Sequence, residues 1–416
     1  MARGEDVGTL IIGASQAGLQ LATTLRDLGA TGTVTLLGGE SRAPYQRPPL
    51  SKGYLRGTLP EDRLALRTPE FYRTNGIDLI SGEWVEGIHL TDPGRGAGEA
   101  TTRSGRTLRF DRLALTVGGA PRRLNLPGHE LAGIHYLRDV DDAASLRADL
   151  DAADRFVVVG GGFVGLEAAA AATAAGKDVT VVETAPRLLE RAVAPVMSDF
   201  VAAAHRRRGT TILLNSTVSG FAGTGRVDAV ELSDGRVLPA DAVVVGIGLL
   251  PHTALAEQLG LTCAGGIVVD ESARSSNPTV VAAGDCTVIA HPDHGSLRLE
   301  SVQNAIAQAK TAAATLLGRE APDTGTPWFW SDQADLKLQM AGINTGYDEV
   351  VLRGDPASEQ FSALYYRAGR LLSIDAVNAP RDYMAVRRLL DGGRSIPAEA
   401  AADTAVALKE FLRATA

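Results

Sequence analysis

The chain has 416 residues, 45% apolar and 22% charged, with a formal net charge of −8 and a pI near 5.5. That length accommodates two or three domains with their own cores, and the acidic balance argues against a nucleic-acid-binding protein. The two cysteines, Cys263 and Cys286, form no C-x-x-C pair, so a disulfide framework, a zinc site and an iron–sulfur cluster are not expected.

No uncharged apolar run approaches the ~18–20 residues of a membrane helix. The opening MARGEDVG carries charge where a signal peptide is apolar, so a cytoplasmic location without membrane association is expected. Residues 7–13, VGTLIIG, read as a strand. A helical pattern at 19–28 follows, closed by Gly29, and 34–37 is the next strand, which completes a β-α-β unit. Between the first strand and the helix lies Gly13-Ala14-Ser15-Gln16-Ala17-Gly18, with Ser15 where a dinucleotide loop has its second glycine. Serine is small enough to let a pyrophosphate approach the helix N-terminus. The acid expected at the end of the second strand is displaced: Gly38 and Gly39 stand there, and Glu40 comes next.

The segment PYQRPPLSKGYLRG, at 44–57, is too proline-rich for regular helix or central strand. It is a surface loop or a stiff wall beside a ligand. Residues 110–117 read as a strand. The β-α-β plan then recurs: a strand at 156–159, a helix at 164–175 closed by Gly176, and a strand at 179–182. Here the loop is a full G-x-G-x-x-G, with Gly160, Gly162 and Gly165, and Glu183 lies eighteen positions past the last glycine. A carboxylate there accepts hydrogen bonds from an adenosine ribose and repels a 2′-phosphate, which favours NADH over NADPH; the alternative is a glycine-rich structural turn. Glu167 interrupts the otherwise apolar, alanine-rich helix. It is either exposed on the helix face or buried, and a buried carboxylate requires a partner.

Residues 242–249 form an apolar strand running into glycines, and 279–285, TVVAAGD, form a strand ending in Gly284-Asp285. From about Trp328 the composition changes. Runs at 361–367 and 371–377 flank Ala368-Gly369 as a hairpin, and a helix at 382–390 follows. The expected architecture is α/β: two Rossmann-like dinucleotide-binding domains plus a C-terminal α+β domain. The boundaries expected are 1–115 and 242–326 for the first nucleotide domain, 116–241 for the second and 327–416 for the third.

The motifs PYQRPPLSK, YLRDVDDA, GIGLLP, VAAGDC, RLESVQNA and PWFWSDQ, in this order and spanning residues 10 to about 390, carry a resemblance. Each is shared widely; the ordered set is specific. The chain resembles the FAD- and NAD-dependent pyridine nucleotide–disulfide oxidoreductases. Within them it is similar to the ferredoxin reductases that serve bacterial haem monooxygenases and ring-hydroxylating dioxygenases.

The resemblance implies roles for particular residues. Gly13, Ser15, Ala17 and Gly18 hold the FAD pyrophosphate, with Glu40 a candidate for its ribose. Lys52 lies beside the flavin ring, Arg47 sits near the cofactor, and the backbone at Val85 meets the adenine. Arg138 and Gly246 belong to shared cofactor-binding segments. Gly284 and Asp285 reach the ribityl chain, Glu300 and Val302 the pyrimidine side, and Trp330 the isoalloxazine. Gly160, Gly162, Gly165 and Glu183 take NADH. Phe163 is expected against the flavin face and to yield when nicotinamide stacks; otherwise it is an apolar core residue at the start of the helix. Glu167 is expected to pair with Lys52. The A-T-G common in such proteins reads Thr116-Val117-Gly118, which removes a threonine hydroxyl from the middle position.

Disulfide reductases of this group carry a cysteine pair near the flavin and NADH peroxidases one cysteine, whereas this chain has none between Gly39 and Lys52. Electrons are therefore expected to leave FAD for an external acceptor. The implied activity is NADH:ferredoxin oxidoreductase, with a small iron–sulfur ferredoxin as a transient partner and the protein a monomer or weak dimer. A basic rim drawn from Arg63, Arg67, Arg298, Lys337, Arg387 and Arg388 would steer an acidic ferredoxin. The alternatives are a reductase of rubredoxin, quinone or oxygen, or a redox sensor resembling apoptosis-inducing factor.

Overall fold

The structure is a computed structural model that describes residues 4–291 and 295–413. Two compact units share the chain. The first comprises the residues up to Gln46, Asp62–Ala120 and Leu249–Gly325; the second comprises Arg47–Glu61, Pro121–Gly248 and the residues from Thr326 onward.

The first unit is built on a sheet of seven strands. Its order is Ile77–Ser81, Val34–Gly38, Glu5–Ile12, Thr107–Leu115, Ala97–Thr102 and Val85–Asp92, with Val280–Ala282 also paired to Thr107–Leu115. Glu5–Ile12 runs parallel to both of its neighbours, which is why Leu10, Ile11 and Ile12 are all buried. A strand covered on both faces needs a continuous apolar run, not an alternating one. The helices Gln16–Asp27 and Val302–Leu316 pack together on this sheet through Ala17, Leu21, Ala305, Ala309 and Ala312.

The second unit holds a parallel sheet in the order Thr211–Leu213, Asp178–Val182, Arg155–Val159, Ala242–Val245, Ile134–Tyr136. The helix Phe163–Ala174 lies against it, and Ala168 to Ala172 are all buried. It also holds a five-stranded antiparallel sheet in the order Trp328–Gln333, Leu336–Gly342, Arg370–Val377, Gln360–Arg367, Glu349–Asp355, covered by the helix Pro380–Asp391. The hairpin turn has positive φ at both Ala368 (47°) and Gly369 (75°), the twist-matched geometry of a two-residue loop.

Two expected boundaries differ from the division of the chain into these two units. The strand Ala242–Val245 pairs with Arg155–Val159 and Ile134–Tyr136, so the chain returns to the first unit at Leu249 and not at 242. A buried parallel strand has the same composition in either sheet, so its residues do not reveal which one it joins. Residues 47–61, expected within 1–115, fall in the second unit, where Leu55 joins the core around Leu146 and Leu166. The proline-rich segment forms one 3-10 turn, Pro48–Ser51, and otherwise loops.

Candidate active site and cofactor loops

The two glycine loops are solved by the same contacts. In the first, Gly13 has φ +116° and a methyl group on it would lie 2.1 Å from the Thr116 carbonyl oxygen; one on Gly18 would lie 2.1 Å from the Gly13 oxygen. In the second, Gly160 has φ +109° and a methyl group on it would lie 2.5 Å from the Gly246 oxygen, while one on Gly165 would lie 2.2 Å from the Gly160 oxygen. These glycines are required by the tight turn and by the close approach of helix to strand. Gly246 thus belongs to the second loop, packed beneath it. Gly162 is different: a methyl group there would meet nothing nearer than 4.0 Å. The protein's own packing does not demand glycine at 162, but a pyrophosphate seated on the helix N-terminus does. The loop therefore fits a dinucleotide. Ser15 occupies the equivalent place, as the residue before the helix Gln16–Asp27.

Each loop has an acid near it. Glu183 accepts from the Gly161 N–H at 2.6 Å and from the Ala185 N–H at 2.7 Å, which holds its carboxylate at the loop. In the first unit the position taken by Gly39 has no room for an acid, because a β-carbon there would sit 2.5 Å from Trp84 Cε3. Glu40 lies next to it and accepts from the Tyr45 hydroxyl at 2.5 Å. Thr116 donates its own hydroxyl to the Gly13 oxygen at 2.9 Å, so the displaced threonine still braces the loop.

Of the other first-unit candidates, Gly284 lies beside the helix that this loop opens. Gly284 lies against Ala17, its α-carbon leaving only 3.1 Å between an added methyl group and Ala17 Cβ, and its N–H donates to Gln308 Oε1 at 2.7 Å. That brings Gly284-Asp285 to the start of the first helix. Val302 begins the helix Val302–Leu316, capped by Ser301, which accepts from the Asn304 N–H. Glu300 is ion-paired with Arg298 at 2.8 Å. Val85 is buried at the start of its strand.

The second unit contains a buried ionic cluster. Glu167 is 4% exposed, and the Lys52 ammonium lies 2.6 Å from its Oε2. Ser51 donates to the same oxygen at 2.5 Å, and Ser331 donates to Oε1 at 2.6 Å. The proline turn Pro48–Ser51 delivers both Ser51 and Lys52 to the helix Phe163–Ala174. Phe163, one turn earlier on that helix, is half-buried and stacks at a tilt on Phe329, with ring centres 4.6 Å apart. Trp330 follows on the same strand, 5.9 Å from Trp328 between ring centres. Arg47 donates to the Arg138 carbonyl at 2.8 Å, and Arg138 N–H to Asp142.

Sequence reasoning missed Ser51, Ser331, Gln333, His205 and Gln308. Strand alternation held a signal for two of these, since Ser331 and Gln333 share one face and both are buried. Of the basic residues, Arg298 is paired with Glu300, Arg387 lies over the Trp328 ring at 4.7 Å and Arg67 over Phe71 at 5.0 Å, while Lys337 and Arg388 are exposed.

Residues 8–309 match the model of the pyridine nucleotide-disulphide oxidoreductases, and residues 328–412 match that of the reductase C-terminal domain. The chain belongs to the pyridine nucleotide–disulphide oxidoreductase family and is an FAD- and NAD(P)H-dependent oxidoreductase. It is 42% identical to rhodocoxin reductase of Rhodococcus erythropolis over 96% of this chain and 93% of that one. It is 40% identical to the 5,5′-dehydrodivanillate O-demethylase ferredoxin reductase subunit of a Sphingobium species, over 97% of this chain and 98% of the other. Among solved structures, the covalent putidaredoxin reductase–putidaredoxin complex matches with a TM-score of 0.92 at 37% identity, covering 99% of this chain and 98% of that one. No helix among the described residues is long and apolar enough to cross a membrane.

Proposed function

We propose that the chain is an NADH:ferredoxin oxidoreductase that passes electrons from NADH through FAD to a small iron–sulfur ferredoxin, which in turn supplies a haem monooxygenase or ring-hydroxylating dioxygenase. The observation that carries this reading is that the chain has two loops fit for a dinucleotide while neither of its thiols is reactive. Cys286 is fully buried and bonded to the Leu115 and Ala283 carbonyls, and burial pushes its thiol up to about 12. Burial also raises Cys263. Neither thiol is poised as a thiolate, so the electrons have an external destination.

Bound FAD supplies the exchange between the two-electron chemistry of the nicotinamide and the one-electron chemistry of an iron–sulfur protein. Gly13, Ser15, Ala17 and Gly18 would hold its pyrophosphate, Glu40 its adenosine ribose, the Val85 backbone its adenine, and Gly284 and Asp285 its ribityl chain. Glu300 and Val302 would meet the pyrimidine side, with Arg47, Arg138 and Trp330 near the ring system. The loop of Gly160, Gly162 and Gly165, backed by Gly246, would seat NADH. Glu183 would accept its ribose hydroxyls and repel a 2′-phosphate. Lys52, with its charge balanced by Glu167, would orient the nicotinamide amide, and Phe163 would yield to the nicotinamide ring. The reaction needs alignment more than proton transfer, and the buried pair provides a fixed field for it.

Relatives named as rhodocoxin reductase and as a demethylase's ferredoxin reductase subunit support the partner class. The test is anaerobic stopped-flow. The protein is mixed with NADH, then with candidate [2Fe–2S] and [4Fe–4S] ferredoxins, rubredoxin or a quinone, while flavin absorbance is followed. Reoxidation by a ferredoxin faster than by dioxygen is expected; if no ferredoxin outpaces dioxygen, the partner assignment fails.

A further inference from the structure

Glu167 lies at the end of a longer buried chain. His205, on the helix Pro195–Arg207 and 2% exposed, has Nε2 at 2.8 Å from Gln333 Oε1. Gln333 Nε2 donates to Ser331 Oγ at 3.2 Å, and Ser331 donates to Glu167 Oε1 at 2.6 Å. Gln333 is 3% exposed and Ser331 is completely buried.

The direction of this chain follows from proton inventory. Ser331 has one proton, and a carboxylate can only accept, so that proton goes to Glu167. Ser331 Oγ must then accept from Gln333, which turns the amide oxygen toward His205. His205 must therefore donate from Nε2. Burial depresses the His205 pKa, which keeps the ring neutral and the donation that of a single tautomer. The three donors thus align head to tail, each polarising the next toward Oε1. With Oε1 held from that side, Oε2 is left to face Ser51 and Lys52.

We infer that Ser331, Gln333 and His205 form a directed hydrogen-bond array that positions the Glu167 carboxylate for its pairing with Lys52. The inference rests on the reading above, in which that pair serves NADH oxidation. These are positioning residues, since none is assigned contact with nucleotide or flavin. Apolar side chains of similar volume would fill the same space at comparable or better stability, so polarity here calls for a role beyond packing.

Two readouts test it on the FAD-loaded protein. In ¹⁵N-histidine-labelled protein, the Nε2–H resonance of His205 is expected to shift in both Ser331→Ala and Glu167→Gln, although neither residue touches the imidazole. In stopped-flow, Ser331→Ala is expected to lower the limiting rate of flavin reduction about tenfold, the scale of one hydrogen bond to a charged group. The NADH concentration for half-maximal rate should stay unchanged, and Ser331→Thr, which keeps the hydroxyl, should restore the rate. Gln333→Met is the second variant should Ser331→Ala fold poorly; the same slowing is expected. A His205 resonance unmoved by Glu167→Gln, or a wild-type rate in Ser331→Ala beside a slowed Glu167→Gln, would overturn the array alone. A wild-type rate in Glu167→Gln itself would overturn the underlying site reading and the array with it.

Discussion

The Lys52–Glu167 pair separates a structural role from a functional one when the two charges are removed in turn. Lys52 is 15% exposed and Glu167 4%, so the pair is largely desolvated. Lys52→Met leaves the carboxylate buried with the Ser51 and Ser331 hydroxyls but no counter-charge. Breaking one side of a buried ion pair costs about 3–5 kcal/mol, and the two remaining donors place this case near the lower end. At an m-value of about 3 kcal/mol/M, that is a fall of about 1 M in the urea midpoint. The Lys52→Met/Glu167→Gln double variant no longer buries a charge and should regain roughly half of that loss. Its flavin reduction by NADH, however, should stay at least about tenfold slow, because the field at the site is gone. Urea unfolding followed by tryptophan fluorescence reads this unit through Trp328 and Trp330, and anaerobic stopped-flow reads the rate. A double variant no more stable than Lys52→Met would refute the electrostatic account of the cluster. One that reduces flavin at the wild-type rate would show that the pair serves folding only.

Glu183→Ala should raise the NADH Kd at least tenfold while FAD stays bound; release of FAD on gel filtration would reverse the assignment of the two loops. Glu40→Ala, which removes the carboxylate that accepts from the Tyr45 hydroxyl, should weaken FAD retention on dialysis and leave the NADH Kd of reconstituted protein unchanged. Asp375 is buried on its strand and bonded to the Tyr365 hydroxyl, and burial pushes its carboxyl up to about 7. The folded state therefore holds a proton that the unfolded chain releases near pH 4. Stability from this group is complete below about pH 4 and is lost as pH rises to about 7, on the order of 4 kcal/mol in all. Asp375→Asn should gain on wild type from about pH 4 to about pH 7 in thermal unfolding and level off above that, and a difference independent of pH would refute the assignment.

What the residues disclose depends on whether the constraint is local. The second loop is legible because Gly160 and Gly165 answer to one turn and one helix contact, with open space at Gly162, all within six positions. Glu167 is legible because a charge in an apolar helix demands a partner, and the partner proved to be Lys52. Ser331, Gln333 and His205 are not legible in this way. Strand alternation puts Ser331 and Gln333 on one buried face but names no partner, and Glu167 and His205 lie more than a hundred residues away in the chain. The sheet joined by Ala242–Val245 was hidden for a related reason: burial on both faces selects apolar residues without saying which neighbours do the burying.

The two departures from the family pattern show how such losses are absorbed. Gly39 stands where the resemblance implies an acid, and the Trp84 ring fills the space above it, so a side chain fits there only if the indole moves. The carboxylate survives one position later as Glu40, oriented by Tyr45. The missing threonine of the A-T-G segment is answered one position earlier by Thr116, whose hydroxyl reaches the Gly13 carbonyl and whose own carbonyl forces glycine at 13. A carboxylate held by Tyr45 and a hydroxyl beneath the first glycine are thus both present, each one position from where the resemblance implies it.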